Sequence, residues 1–350
     1  DASAEGLTAI PRGDREDVDI ISDDIPAIEE SAAMPVGDGP ALNKMFTLTQ
    51  DIHFGEYPSD APEEVYYRML VSSSHLVLAS PVFQAMVEGP YVEGSTDHRG
   101  IYQFTTHGWN QEALVIVLDI IHGHHRSVPK SLDLEMLAKV AVIVDYYKCH
   151  EIVEVFVERW LKALQNGHTV HYGKASMLWL LISWVFSCPE IFKSMAGLAL
   201  KHSTKLILAD NVPIPGEVLD RIDQERQGAL SKIFSTLYGL LDTLQHNSDC
   251  SYECSCMLLG NLTKELAKNG ILKPPIEPPF EGHSIVSVNK MISGFSSVNW
   301  HSRSSSGIYY DGYHSSHSCR IVDKMRPTLE RMEKELPCLR LEDFGLLTEY

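Results

Sequence analysis

The sequence predicts an α+β fold: a small sheet flanked by helices, followed by a mainly α-helical C-terminal region. Three observations carry this. Segments with strand character are confined to the first third of the 350 residues, while apolar spacings of three and four dominate the rest. The stretch "SSSHLVLASPVFQAM", Ser72 to Met86, passes from a serine cluster into a helical stripe with a proline in its middle. Finally, 44% apolar and 22% charged residues are the proportions of a water-soluble globular chain with a core to bury.

Residues 1–42 hold Asp, Glu, Ala, Gly and Pro, with Arg12 and Arg15 as the only bases. Such a segment buries too little apolar surface to offset its ordering entropy and reads as a disordered acidic tail. "MFTLTQDIHF" and "VYYRMLV" then cluster β-branched and aromatic residues on either side of the turn-forming "GEYPSDAPEE", which predicts two strands and a loop. In the serine–proline stretch, Leu76, Ser80, Phe83 and Val87 share one helical face. Pro81 breaks a continuous helix but suits the first turn of a new one, so two short helices are predicted, with Ser80 capping the second. "IYQF" (Ile101–Phe104) reads as a strand. Asn110 caps a helix carrying Leu114, Val117, Leu118 and Ile121, and "HGHHRSVPK" is a loop with a short strand. Ser131 caps a helix bearing Leu134, Leu137, Val140, Ala141 and Val144, and a further helix runs from Glu151 to Leu164.

Here the segments "VSSSHLVLASPVFQAMVEGPYVEG", "ALVIVLDIIHG", "VPKSLDLEMLAKVAVIVDYYKCHEIVEVF" and the later "CMLLGNLTKEL" resemble a BTB/POZ-domain protein of the filamentous-fungal type. The resemblance places the BTB/POZ domain at residues 43–165 and a helical C-terminal region at 166–350, with Ser80–Phe83 its most diagnostic piece. It implies that Leu76 to Met86 form a helical hairpin at a dimer face and that the domain self-associates, with itself or with another BTB protein. Leu76, Val77, Phe83, Gln84 and Met86 are the candidate interface residues; the same face also suits the domain's own core, Phe83 above all, and Val77 and Gln84, off the core stripe, are the better candidates for the interface itself. The implied role is a non-enzymatic protein–protein interaction scaffold. One alternative is a substrate adaptor of a cullin-type ubiquitin ligase. Such adaptors commonly carry an apolar-x-Glu contact in the loop after the third helix, and "HGHHRSVPK" has no Glu.

In the C-terminal region, "MLWLLISWVFSC" (Met177–Cys188) is apolar on every side yet far short of the ~20 residues that span a bilayer, so it predicts a buried core helix. "PIPGEVLDRIDQERQGALSKIFSTLYGLLDTLQ" places Leu219, Ile222, Ala229, Ile233, Leu237, Leu240 and Leu244 on one stripe of a long helix beginning at Pro215. Gly228 and Gly239 favour packing against its own domain over a coiled coil. Residues 273–318 are rich in Pro, Ser, Gly and His and read as an extended, partly mobile connector.

A formal charge of −18, with no basic run, argues against nucleic acid or an anionic membrane as the main partner. The first residues lack the charged-then-apolar run of a secretory leader. Seven unevenly spread cysteines make no disulfide framework, which points to a reducing compartment, nucleus or cytoplasm.

Two motifs carry chemistry. "CSYECSC" and "HSSHSC" supply Cys250, Cys254, His317 and Cys319, a soft donor set suited to one structural zinc, with Cys256 and His314 in reserve. The alternative is plain thiols beside a His-rich loop; a metal-dependent enzyme at the same cluster is a further alternative, disfavoured because four soft ligands leave no open position. In "VDIISDDIPAIEE", Val18, Ile20 and Ile21 followed by acids resemble a SUMO-interacting motif, which would bind by strand addition. The histidines of "HGHHR" read as solvated or helix-terminal. No Gly-rich phosphate loop, G-x-S-x-G or HExxH occurs.

Overall fold

The computed structural model describes residues 43–49, 66–91, 94–95, 97–98, 100–164, 171–208, 214–247, 250–298 and 319–345. The chain divides into two units, Asp1–Pro40 and Ala41–Tyr350. The acidic segment, with Val18, Ile20 and Ile21, lies outside the described residues, as do His314 and His317.

Three strands form one sheet. β1 (Asn43–Thr49) is central, antiparallel to β2 (Tyr66–Ser72) and parallel to β3 (Tyr102–His107). Antiparallel neighbours can be joined by a short turn, whereas the parallel pair needs a crossover. That crossover includes the helical hairpin α1 (Ser73–Ala79) and α2 (Pro81–Glu88). As the proline and the serine require, the helix breaks at Ser80, whose Oγ caps α2 by accepting the Phe83 N–H at 3.1 Å. The same hydroxyl donates to the Tyr147 carbonyl, at the end of a later helix.

The remaining helices of this half are α3 (Gln111–Ile121), α4 (Leu134–Tyr147) and α5 (His150–Leu164). Asn110 caps α3 as predicted, accepting the Ala113 N–H at 3.0 Å. The cap of α4 is Asp133 rather than Ser131, accepting from Met136 N at 2.7 Å. A carboxylate at the helix N-terminus also meets the positive end of the peptide dipoles. No strand occurs in the His122–Lys130 loop; Trp160 on α5 holds it instead, donating Nε1–H to the Pro129 carbonyl at 2.9 Å.

The core of this half centres on Tyr147. Its ring stacks on Phe83 with centroids 4.3 Å apart, and Phe104 of β3 meets Phe83 edge-on at 6.4 Å. Its hydroxyl accepts from Trp109 Nε1 and donates to Thr106 Oγ1, both at 3.3 Å. Burial is the main cause that raises the phenol's pKa, so the group stays a neutral hydrogen-bonding relay.

α6 (Lys174–Val185) is the all-apolar helix read from the sequence, and all of Ser176 to Val185 except Trp184 is buried. It packs on α4 on one side and α7 (Pro189–His202) on the other, so the C-terminal region seats directly on the sheet-bearing half. α8 (Gly216–His246) runs unbroken through Gly228 and Gly239 and packs on α7, on α9 (Tyr252–Lys268) and on α11 (Ile321–Glu335), against its own domain. Among the described residues no helix is long and apolar enough to cross a membrane.

The predicted connector needs correction. Residues 273–298 contain α10 (Ile285–Ser293), with Ile285, Val288 and Ile292 buried and a Ser284–Ser287 capping box, and Phe280 and Phe295 beside it are buried too. Proline and serine masked a short helix whose apolar spacing of three and four was legible. The rest of the connector, 299–318, lies outside the described residues.

What holds this segment is Arg226, wholly buried on α8. Its Nε and Nη2 donate to Asp223 Oδ1 at 2.8 and 2.6 Å, Nη1 to the carbonyls of Phe280 and His283, and Nη2 to that of Pro279. All five guanidinium hydrogens are thereby used. Phe280, at φ 57, turns its ring onto Phe234 with centroids 5.6 Å apart. Removing the cation leaves three carbonyls without this donor and the Asp223 carboxylate with only its bond from Gln227 Nε2, at 2.6 Å. Arg226→Ala is therefore expected to lower unfolding free energy by about 3–5 kcal/mol, read from urea denaturation; a loss under about 1 kcal/mol would mean that water replaces the clamp.

Candidate functional site

Two places stand out, and neither is a catalytic constellation of the kinds sought in the sequence. The first is the outer face of the α1–α2 hairpin. Leu76 is 0% and Phe83 1% exposed, so both belong to the protein's own core; this corrects the interface reading for Leu76 and is the placement the sequence favoured for Phe83. Their stripe is the one Ser80 and Tyr147 hold inward. Val77 and Met86 are half-buried and Gln84 is exposed, its Nε2 donating to Glu88 Oε2 at 3.1 Å. The sequence reading missed Leu78, which is 88% exposed at the end of α1, and Leu70, 64% exposed on the edge strand β2. Leu78 lies two positions after the core residue Leu76 on a helix, a signal that could have marked it as outward.

The hairpin is fixed at its leading end by a histidine. His122 Nε2 accepts the Ser72 backbone N–H at 3.0 Å, so Nδ1 carries the proton and donates to the Leu118 carbonyl at 2.8 Å. Burial is the first cause that lowers the His122 pKa; the Leu118 carbonyl and Asp119 oppose it, and His75 and His124 reinforce it. His124 lies 3.3 Å from Asp119, with its ring centroid 6.3 Å from that of His122, and His125 packs edge-on to Phe156.

The second place is the cysteine cluster. Cys250 precedes Ser251, the N-cap of α9, and Cys254 sits in that helix's first turn with its N–H donated to Ser251 Oγ at 3.2 Å. Cys319 precedes Arg320, the N-cap of α11. The three sulfurs lie within 4.8 Å of one another, close enough to hold a metal ion. Cys254 is buried, Cys319 half-buried and Cys250 exposed. Burial, with Cys319 and Cys250 alongside, pushes the Cys254 thiol up to about 11. None of the seven cysteines is disulfide-bonded. Cys256 is exposed and not part of the group; the fourth sequence candidate, His317, falls outside the described residues.

A cleft of about 530 Å³ also opens between α5 and the α6–α7 joint, with Glu151, Glu154 and Glu158 along one wall and Trp184, Phe186 and Cys188 along the other. Burial pushes the Cys188 thiol up to about 11, which keeps it protonated at neutral pH and a poor nucleophile. No sequence signal joins these walls, because they come together only through the packing of α6. No family model matches the chain, and no curated protein matches it.

The His122 geometry gives a pH dependence. Its folded pKa lies below the ordinary imidazole value of 6.5, so the neutral ring stabilises the fold fully above 6.5 and the contribution is lost as pH falls through the folded pKa. Protonation places an N–H at Nε2 against the Ser72 N–H. Amide exchange at Ser72, corrected for intrinsic rate, is expected to accelerate on acidification below 6.5, and His122→Gln to flatten this dependence. Exchange independent of pH would remove the histidine from the joint.

Proposed function

We propose that this chain is a non-enzymatic interaction scaffold whose first half is a BTB/POZ-like domain that self-associates through the α1–α2 hairpin and the edge beside it. The observation that carries the reading is the hairpin itself: two short helices broken at Ser80-Pro81, clamped to the end of α4, with Leu78 left 88% exposed. An apolar side chain that the protein's own fold leaves in water supports burial by a second copy, and a two-fold contact would set the same patch against itself. The element order supports it further. Strand, strand, helix pair, strand and three helices follow the order of the BTB-like segments in the sequence, apart from the short strand placed after α3. In this reading Val77, Leu78, Gln84 and Met86 face the partner, while Leu76 and Phe83 hold the hairpin from within. The cysteine cluster has a structural part in it and no catalytic one.

Light scattering on the full chain tests the proposal. A dimer is expected, and Leu78→Asp is expected to raise the dissociation constant by about tenfold or more while leaving the melting temperature of the monomer unchanged, since the side chain is exposed. A monomer at micromolar concentrations, or a dimer indifferent to Leu78→Asp, would overturn it.

A further inference from the structure

The cysteine cluster joins parts of the chain that share little other contact. α11 packs on α8 and α10, and its leading end meets the start of α9 at the three sulfurs. Three thiol side chains from two separated segments converge within 4.8 Å. In a tetrahedral site with Zn–S near 2.3 Å the sulfurs stand about 3.8 Å apart, so each has to move by less than about 1 Å. Side-chain rotation alone can supply that.

The backbone is arranged for a negative group. Cys250 and Cys319 each stand one residue before the cap of a helix, and Cys254 lies in the first turn of α9. The starts of two helices, with the positive ends of their dipoles, therefore lie at the three sulfurs. A zinc ion with three thiolates carries a net negative charge, which the positive ends of the same dipoles offset. Arg320, adjacent to Cys319, adds a cation. The Ser251 cap fixes the backbone of Cys254, so at least one ligand is pre-positioned. A set made wholly of sulfur selects a soft, four-coordinate ion over magnesium or calcium, which take oxygen.

We propose that Cys250, Cys254 and Cys319 form a zinc site that fastens the start of α11 to the start of α9. The ion closes the chain between residues 254 and 319 and so holds α10, α11 and the segment around Phe280 to the body of the protein. The described residues supply three sulfur ligands, and the site is defined by these. The site is independent of self-association, since none of its residues lies on the hairpin.

The test uses the full chain, purified under reducing conditions with zinc supplied, and metal content read by mass spectrometry. About one zinc per chain is expected. Replacement by cobalt should give a thiolate-to-metal charge-transfer band and tetrahedral ligand-field bands. Cys254→Ser and Cys319→Ser should lose the metal and the charge-transfer band, whereas Cys256→Ser and Cys338→Ser keep both. Far-ultraviolet circular dichroism shows whether each variant is folded, and the cobalt spectrum of the unaltered chain stands even if one is not. Chelation should lower the melting temperature. A folded chain that binds no zinc, a cobalt spectrum without thiolate character, or full zinc content in folded Cys254→Ser or Cys319→Ser would each overturn the site. A zinc-bearing monomer would sink the self-association reading and leave this one standing.

Discussion

One hydroxyl group joins the two layers of the first half. Ser80 accepts the N–H that starts α2 and gives its own proton to the carbonyl that ends α4. Because the acceptor is the backbone carbonyl of Tyr147, the same residue whose ring stacks on Phe83 and whose phenol links Trp109 to Thr106, the hairpin and the sheet are set by a single residue. Buried polar groups raise the cost of any misalignment, because each displaced partner is left unsatisfied in a medium without water. The outward presentation of Leu78 follows from this. A helix held inward by Leu76 has to turn some other residue out.

The second half is organised by a charge in place of a ring. Buried arginine is costly unless every donor is met, and here a carboxylate and three loop carbonyls meet them. The segment around Phe280, which has no regular structure of its own, thereby becomes part of the core. The far end of the chain returns to the same body: Phe344 meets Trp184 and Phe192 edge-on at 6.1 and 6.0 Å. With α6 packed on both α4 and α7, the two halves read from the sequence share one continuous apolar interior.

What was legible in the sequence is what local chemistry decides. Pro81 dictated the break and Ser80 the cap, the periods of α3, α4 and α8 named their buried faces, and the apolar girth of α6 required cover on all sides. What escaped depends on partners remote in the chain. Asp133 beats Ser131 as a cap by two positions, which the local pattern does not discriminate. α10 was hidden by flanking prolines, although Ile285, Val288 and Ile292 keep a helical spacing. Arg226 gave no sign of burial, since its carbonyl partners lie more than fifty residues on, and the acidic cleft has no continuous counterpart in the sequence. Of the donor set read from the sequence, Cys250, Cys254 and Cys319 come together in the fold, and His317 lies outside the described residues.

The central place of β1 bears on the order in which the protein can assemble. It is made before either strand that flanks it, and its parallel partner β3 emerges only after the whole hairpin. On a ribosome, β1 can pair with β2 before the hairpin is made, but its other edge must wait unpaired while α1 and α2 form. Pairings distant along the chain are slow to close because their loop entropy is lost before any contact is gained. The helices of the second half are built mostly from neighbours in sequence and face no such delay. The sheet is thus the late-closing and most aggregation-exposed part of a chain that is otherwise helical.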